Sequence, residues 1–160
     1  MFFSRYRNSF WRVPLIALVA GWLYTPCYVR IVLRFGVVSP GVIDEGVSLL
    51  ASGGLLAATL VLGWAALLRR QTRAEIAVSA SLVVAYGLAL YALQALSGST
   101  TGPAAVVFLH LETPLEWTAF PSTLSHYLQR RGAGTVPGLG LLRFFVPWLF
   151  IAFGRRAPAA

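Results

Sequence analysis

The sequence predicts an all-α, polytopic membrane protein: four transmembrane helices, with an amphipathic interfacial or re-entrant helical segment before the last span. Three observations predict it. Hydrophobic residues make up 58% of the 160, charged residues 11%, and mean hydropathy is +0.73. Soluble domains carry about 25% charged residues, so this chain lacks the polar side chains to coat a water-soluble globule. Several uncharged runs are long enough to cross a hydrocarbon layer about 30 Å thick. The charges collect at the ends of those runs. Together these exclude an ordinary soluble enzyme, a disordered tail and a collagen-like fibre. The chain reads as one integral membrane domain over 1–160. Spans are expected at about 13–34, 46–68, 76–97 and 137–153, and the interfacial or re-entrant segment at about 103–131.

The first span follows Arg5, Arg7 and Arg12, with Phe10 and Trp11 at the level of an interfacial aromatic belt. Pro14 falls in the first turn, where its missing N–H costs nothing. Pro26 lies inside the span and predicts a kink. The uncharged run from Val13 to Val29 is longer than a signal-peptide core and no small-residue cleavage motif follows it, so it reads as an uncleaved helix. Cys27 has the depth of a lipoprotein cysteine, but Pro26 before it argues against processing. A lone cysteine here has no disulfide or zinc partner and reads as a small hydrophobe. Arg30 and Arg34, four apart, can snorkel to the far interface.

Gly36 and Ser39-Pro40-Gly41 mark a turn. Asp44 and Glu45 then fall in the first turn of the second span, where carboxylates complement the helix dipole. That span, Gly46–Leu68, holds no charge and ends at Arg69-Arg70, with Trp64 near its end. Thr72 and Glu75 have capping-box spacing and open the third span. Ser97 to Gly102 has loop composition and closes it. Small residues recur at four-residue spacing: Ala17 and Gly21, Gly53 and Ala57, Gly54 and Ala58, then Ser81, Ala85 and Ala89. In lipid, such spacing lets backbones approach, so these read as helix-packing faces.

The last third is less regular. Thr113-Pro114-Leu115-Glu116 has the pattern of a second capping box with Pro at the first helical position. It predicts a helix starting at Pro114, restarted or kinked at Pro121, with Arg130-Arg131 in its last turn and Gly132 just beyond. Trp117, Phe120, Leu124, Tyr127 and Leu128 form one stripe; Ser122, Ser125, His126 and Gln129 form the other. The final span is short and contains Arg143 and Pro147.

All 13 basic residues are arginine, as a GC-rich, bacterial coding sequence would give, and the net charge is +8. They flank apolar runs, the pattern of topology determinants rather than of nucleic-acid binding. With four spans and the N-terminus inside, Arg5, Arg7, Arg12, Arg69, Arg70, Arg73, Arg155 and Arg156 are inside; Arg30, Arg34, Arg130 and Arg131 are outside. The positive-inside rule favours this orientation, in a bacterial cytoplasmic membrane. A fifth span through 103–128 gives the same charge balance, but it would carry Glu112 and Glu116 through the bilayer at about 2.5–3.5 kcal/mol per central charge.

His110, Glu112, Glu116 and His126 form the densest polar cluster. Imidazole with carboxylate suits a metal or proton site, but the HExxH spacing is absent and Pro114 separates the two acids. Capping and interfacial roles account for these residues more simply. An arginine within a span is a functional-site hypothesis, and Glu112 or Glu116 is the natural partner of Arg143. Arg30, Arg34, Asp44 and Glu45 form another candidate set, able to pair across the mouth of the first hairpin. No nucleotide loop, nucleophile elbow, CxxC or triad spacing occurs, Ser125-His126 included. The sequence therefore implies no cofactor and no metal. It points to a non-enzymatic accessory membrane subunit, packed in the lipid bilayer against itself or a partner membrane protein. The alternative is a small oligomeric transporter or channel using Glu112, Glu116 and Arg143; a membrane-embedded enzyme ranks behind both.

Overall fold

The computed structural model describes residues 9–39, 42–98, 102–133 and 138–156. Arg5, Arg7, Pro40, Gly41, the loop at 99–101, the expected first residue of the last span, Pro137, and the Ala/Pro tail lie outside the described residues. The chain is mostly helical. Three helices are long and apolar enough to cross a membrane: Arg12–Phe35, Glu45–Leu68 and Arg73–Ser97.

Helix α1, Arg12–Phe35, runs unbroken through Pro26. Val37–Ser39 (β1) and Val42–Ile43 (β2) then pair antiparallel, Val37 opposite Ile43, so the expected turn is a miniature β-hairpin. Asp44 caps α2, Glu45–Gly63, its carboxylate accepting from the backbone N–H of Gly46 at 2.7 Å and of Val47 at 3.2 Å. The last turn, Trp64–Leu68, widens into a π-helix. Arg12 Nη1 donates to the Leu67 carbonyl at 2.7 Å, satisfying an acceptor there. Helix α3, Arg73–Ser97, opens with the expected capping box. Glu75 N–H donates to Thr72 Oγ1 at 3.4 Å, and Thr72 N–H donates to Glu75 Oε2 at 2.8 Å. It closes on Gly98 at φ 59°, a left-handed conformation suited to glycine.

The segment between α3 and the last apolar run is not one helix from Pro114. It is two 11-residue helices, α4 (Gly102–Glu112) and α5 (Phe120–Arg130), joined by a 3₁₀ turn over Thr113–Thr118. The expected capping box fails because Thr113 still belongs to the α4 winding: its hydroxyl donates to the Leu109 carbonyl at 3.4 Å. Glu116 is thereby left to reach elsewhere. The expected stop is present, with Arg131 at the cap and Gly132 at φ 78°.

The final run, Leu139–Phe153, winds as a 15-residue 3₁₀ helix. Such a length is uncommon. Phe144, Pro147 and Phe150, in one row at three residues per turn, are buried, as is Val146 beside them, while Leu141 and Phe153 at the ends of the row are exposed. At about 2.0 Å per residue the run covers about 30 Å, against about 22 Å as an α-helix. It therefore keeps pace with α3, antiparallel to it. The Tyr91 and Phe144 rings lie 5.6 Å apart, Trp148 Nε1 donates to Ser81 Oγ at 3.2 Å, and Arg73 N–H donates to the Arg155 carbonyl at 3.0 Å. Arg155 N–H in turn donates to the Gln71 carbonyl at 3.0 Å.

These contacts define two ends. Arg12, Arg69, Arg70, Arg73 and Arg155 gather at one, the basic end, where Ser79 also ties α3 to the start of α1 by donating to the Phe10 carbonyl and accepting from Val13 N–H. At the far end, Arg130 pairs with Glu45 at 3.0 Å, joining the end of α5 to the start of α2. Val13, Ile16, Ala17, Leu56, Leu68, Ile76, Ala80, Trp117 and Phe150 belong to the core.

Candidate functional site

The α4–α5 arm positions the polar groups. Helix α4 starts five residues after the end of α3, at the far end; its final turn reaches the middle of α3, where Tyr86 Oη donates to the Leu111 carbonyl at 2.5 Å. Helix α5 returns to the far end at Arg130. Each helix is about 16 Å long, so the connecting 3₁₀ turn lies about halfway down the helices.

Two glycines let that turn in. A Cβ on Gly21 would approach Pro114 Cα to 2.8 Å and Thr113 C to 2.9 Å, closer than real contacts allow. A Cβ on Gly87 would meet Phe144 Cδ1 at 2.8 Å and Leu115 Cδ1 at 3.2 Å. The turn thus sits between α1 and α3, with Leu115, Trp117 and Thr118 buried. The Trp117 and Phe150 rings lie 5.8 Å apart, tilted by 47°. The Thr118 hydroxyl donates back to the Leu115 carbonyl at 2.6 Å, while Trp117 Nε1 is buried without a hydrogen-bond partner among the described residues. Of the other small residues, Ala17 is buried and Gly53 underlies the Phe120 ring. Gly54, Ala57, Ala58, Ser81, Ala85 and Ala89 are exposed.

The two acids flank this turn and face different neighbours. Glu116 accepts a hydrogen bond from the Thr25 hydroxyl on α1. Glu112 faces Arg143 of the last segment, Nη2 to Oε2 being 3.9 Å, with side chains 23% (Arg143) and 28% (Glu112) exposed. That is the partner the sequence suggested for Arg143, but the contact exceeds hydrogen-bond length. The Arg143 guanidinium lies 5.5 Å from the Phe144 ring centre, and its Nε is buried with no hydrogen-bond partner among the described residues.

Glu112 and Arg143 line a cleft of about 510 Å³ together with Gln94 of α3, Ser122 and Ser125 of α5, and Tyr91. Ser122 and Ser125 are three apart on α5 and so share a face. Sequence reasoning saw these serines only as the polar side of an amphipathic helix, and it missed Thr25, Tyr86 and Gln94 altogether. Hydroxyls and amides inside otherwise apolar runs were the available signal.

The histidines stand apart from the pair. His110 is exposed and its Nδ1 lies 2.8 Å from the Val106 carbonyl one turn back. His126 lines a smaller cleft of about 270 Å³ with Tyr28, Glu45, Ser48, Thr123 and Arg130, at the far end. Tyr28 stacks on Tyr24, 5.6 Å away. Glu45 pairs with Arg130 rather than with Arg30 or Arg34 across the mouth of the first hairpin. Among the described residues, no three His, Cys, Asp or Glu side chains are grouped to hold a metal ion. Cys27 is free and exposed.

No protein-family model, curated protein or solved structure matches the chain.

Proposed function

We propose that the chain is a four-span bacterial membrane protein that binds a small polar solute and conducts it across the bilayer, with α4 and α5 forming a re-entrant arm. One observation carries this reading: the Glu112–Arg143 pair lies in a polar cleft beside the tip of that arm, about halfway down the helices. A charged pair at such depth is expensive in hydrocarbon, and is at home where it lines a water-filled path. Non-helical backbone at membrane depth is likewise tolerated where protein surrounds it, as around the Thr113–Thr118 turn. The last run supports a fourth span, because 3₁₀ winding gives its 15 residues the reach of a longer α-helix.

Thr25 is exposed on α1 beside Glu116, at comparable depth. Lipid cannot solvate a carboxylate, so this flank favours an oligomer in which a second copy covers it. In this reading the clefts open outside and the N-terminus lies inside.

Proteoliposomes test the function. Swelling in small polar solutes, followed by light scattering, is expected to exceed that of empty liposomes several-fold. Glu112→Ala and Arg143→Ala should each remove most of the excess. Swelling no faster than in empty liposomes would sink the transport reading. The reading then favoured is an accessory subunit that takes a partner helix in the apolar groove between α1 and α2, lined by Leu15, Val19, Leu23, Leu55 and Leu62.

A further inference from the structure

We infer that the Glu112–Arg143 cleft takes a small zwitterion of the α-amino-acid class, its carboxylate on Arg143 and its ammonium on Glu112. The inference rests on the solute-path reading above and names the solute's chemistry.

Arginine carries five N–H donors in a planar fork matched to a carboxylate. Among the described residues, those of Arg143 make no hydrogen bond; the guanidinium has the 3.9 Å ion contact, the approach to the Phe144 ring and Tyr24 within electrostatic reach. Its Nε is buried and unpartnered. Glu112 gives no capping bond to the turn that follows it; its Oε2 faces Arg143, and Tyr86 also lies within its electrostatic reach. The two side chains hold opposite charges side by side, and among the described residues neither makes a hydrogen bond.

Charge balance selects the ligand. The pair is net neutral. A simple anion would take Arg143 from Glu112 and leave a carboxylate uncompensated at depth; a simple cation would leave the guanidinium so. Taking one partner away from a part-buried pair leaves the other charge uncompensated. A zwitterion satisfies both groups and keeps the site neutral. An α-amino acid carries both charged groups on one carbon, which suits two side chains nearly in contact.

The walls fit the rest of such a molecule. Ser122, Ser125 and Gln94 offer hydroxyl and amide groups for further hydrogen bonds, and the Tyr91 and Phe144 rings offer an apolar wall for a side chain. The cleft, about 510 Å³, suits a small solute.

The test is calorimetric titration of the full chain in lipid nanodiscs with L-alanine, L-glutamine and L-phenylalanine, beside the single-charge analogues propionate and ethylamine. At least one amino acid should bind tenfold or more tightly than both analogues. Glu112→Gln and Arg143→Gln should each weaken that binding at least tenfold, and Glu112→Arg combined with Arg143→Glu should recover part of it. If a variant loses its monodisperse elution, the wild-type comparison decides alone. Propionate or ethylamine binding as tightly as every amino acid overturns the zwitterion assignment; so does no binding by any of the five probes. Solute flux in proteoliposomes is measured in parallel. Flux that persists while the zwitterion preference is absent overturns this inference alone, and loss of flux overturns the solute path beneath it.

Discussion

At the scale of single residues, Gly21 controls whether the α4–α5 arm can seat. The Thr113-Pro114 backbone lies against its Cα, and any Cβ would collide with backbone rather than with a movable side-chain tip. Gly21→Val is therefore expected to destabilise the protein by about 3 kcal/mol, at the upper end of typical overpacking costs. Thermal unfolding in detergent reads it, and an unchanged midpoint would show that the turn does not pack there. Gly21 was legible as a small residue at helical spacing, but its neighbour was not. Spacing shows which face can admit a backbone without showing which backbone arrives. Glu116 shows the complementary failure. Thr113-Pro114-Leu115-Glu116 has the letters of a capping box, yet the Thr113 hydroxyl bonds back to Leu109 and the carboxylate crosses to Thr25.

Among the elements, α1, α2 and α3 were legible because length, uninterrupted apolarity and terminal signals agree. The capping box at Thr72 and Glu75 is local chemistry, complete within four residues, and it forms as read. Thr72→Ala should cost about 1 kcal/mol, the usual loss for an N-cap, visible as a lower unfolding midpoint. A midpoint equal to wild type would mean that the backbone bonds of Gln71 and Arg73 to Arg155 hold the α3 start alone. The α4–α5 arm was half legible. Ser122, Ser125, His126 and Gln129 marked a polar side, but α4 is apolar on every side before His110 and has no buried residue, so no periodicity announced a separate helix. The 3₁₀ winding of Leu139–Phe153 was hidden for a related reason. Where nearly every position is apolar, a three-residue row and a 3.6-residue stripe look alike. The row of Phe144, Pro147 and Phe150 appears only once α3 lies beside it.

For the whole molecule, the arginines Arg12, Arg69, Arg70, Arg73 and Arg155 gather at one end, and Arg130 meets Glu45 at the other. An even number of crossings returns the chain to its starting side. A reporter fused after Arg156 should therefore show a cytoplasmic C-terminus in a bacterial host, and a periplasmic signal would overturn the four-span topology. The candidate site was legible only in part at this scale. Arg143 points to Glu112 or Glu116 from sequence alone, because a charge inside an expected span demands a counter-charge, and the structure brings it to Glu112. Ser122, Ser125 and Gln94 join them only because the connector, expected to be interfacial or re-entrant, brings α5 beside α3 and the last run.

The slender final helix has a mechanical consequence. Rewinding from 3₁₀ to α shortens a helix by about 0.5 Å per residue. Ten residues of that winding follow Arg143, ending at Phe153, and the backbone of Arg155 just beyond is fastened to Gln71 and Arg73. With that anchor held, recoiling those residues would draw the guanidinium about 5 Å toward the basic end. The winding of this one helix thus sets how deep its charge sits against the arm.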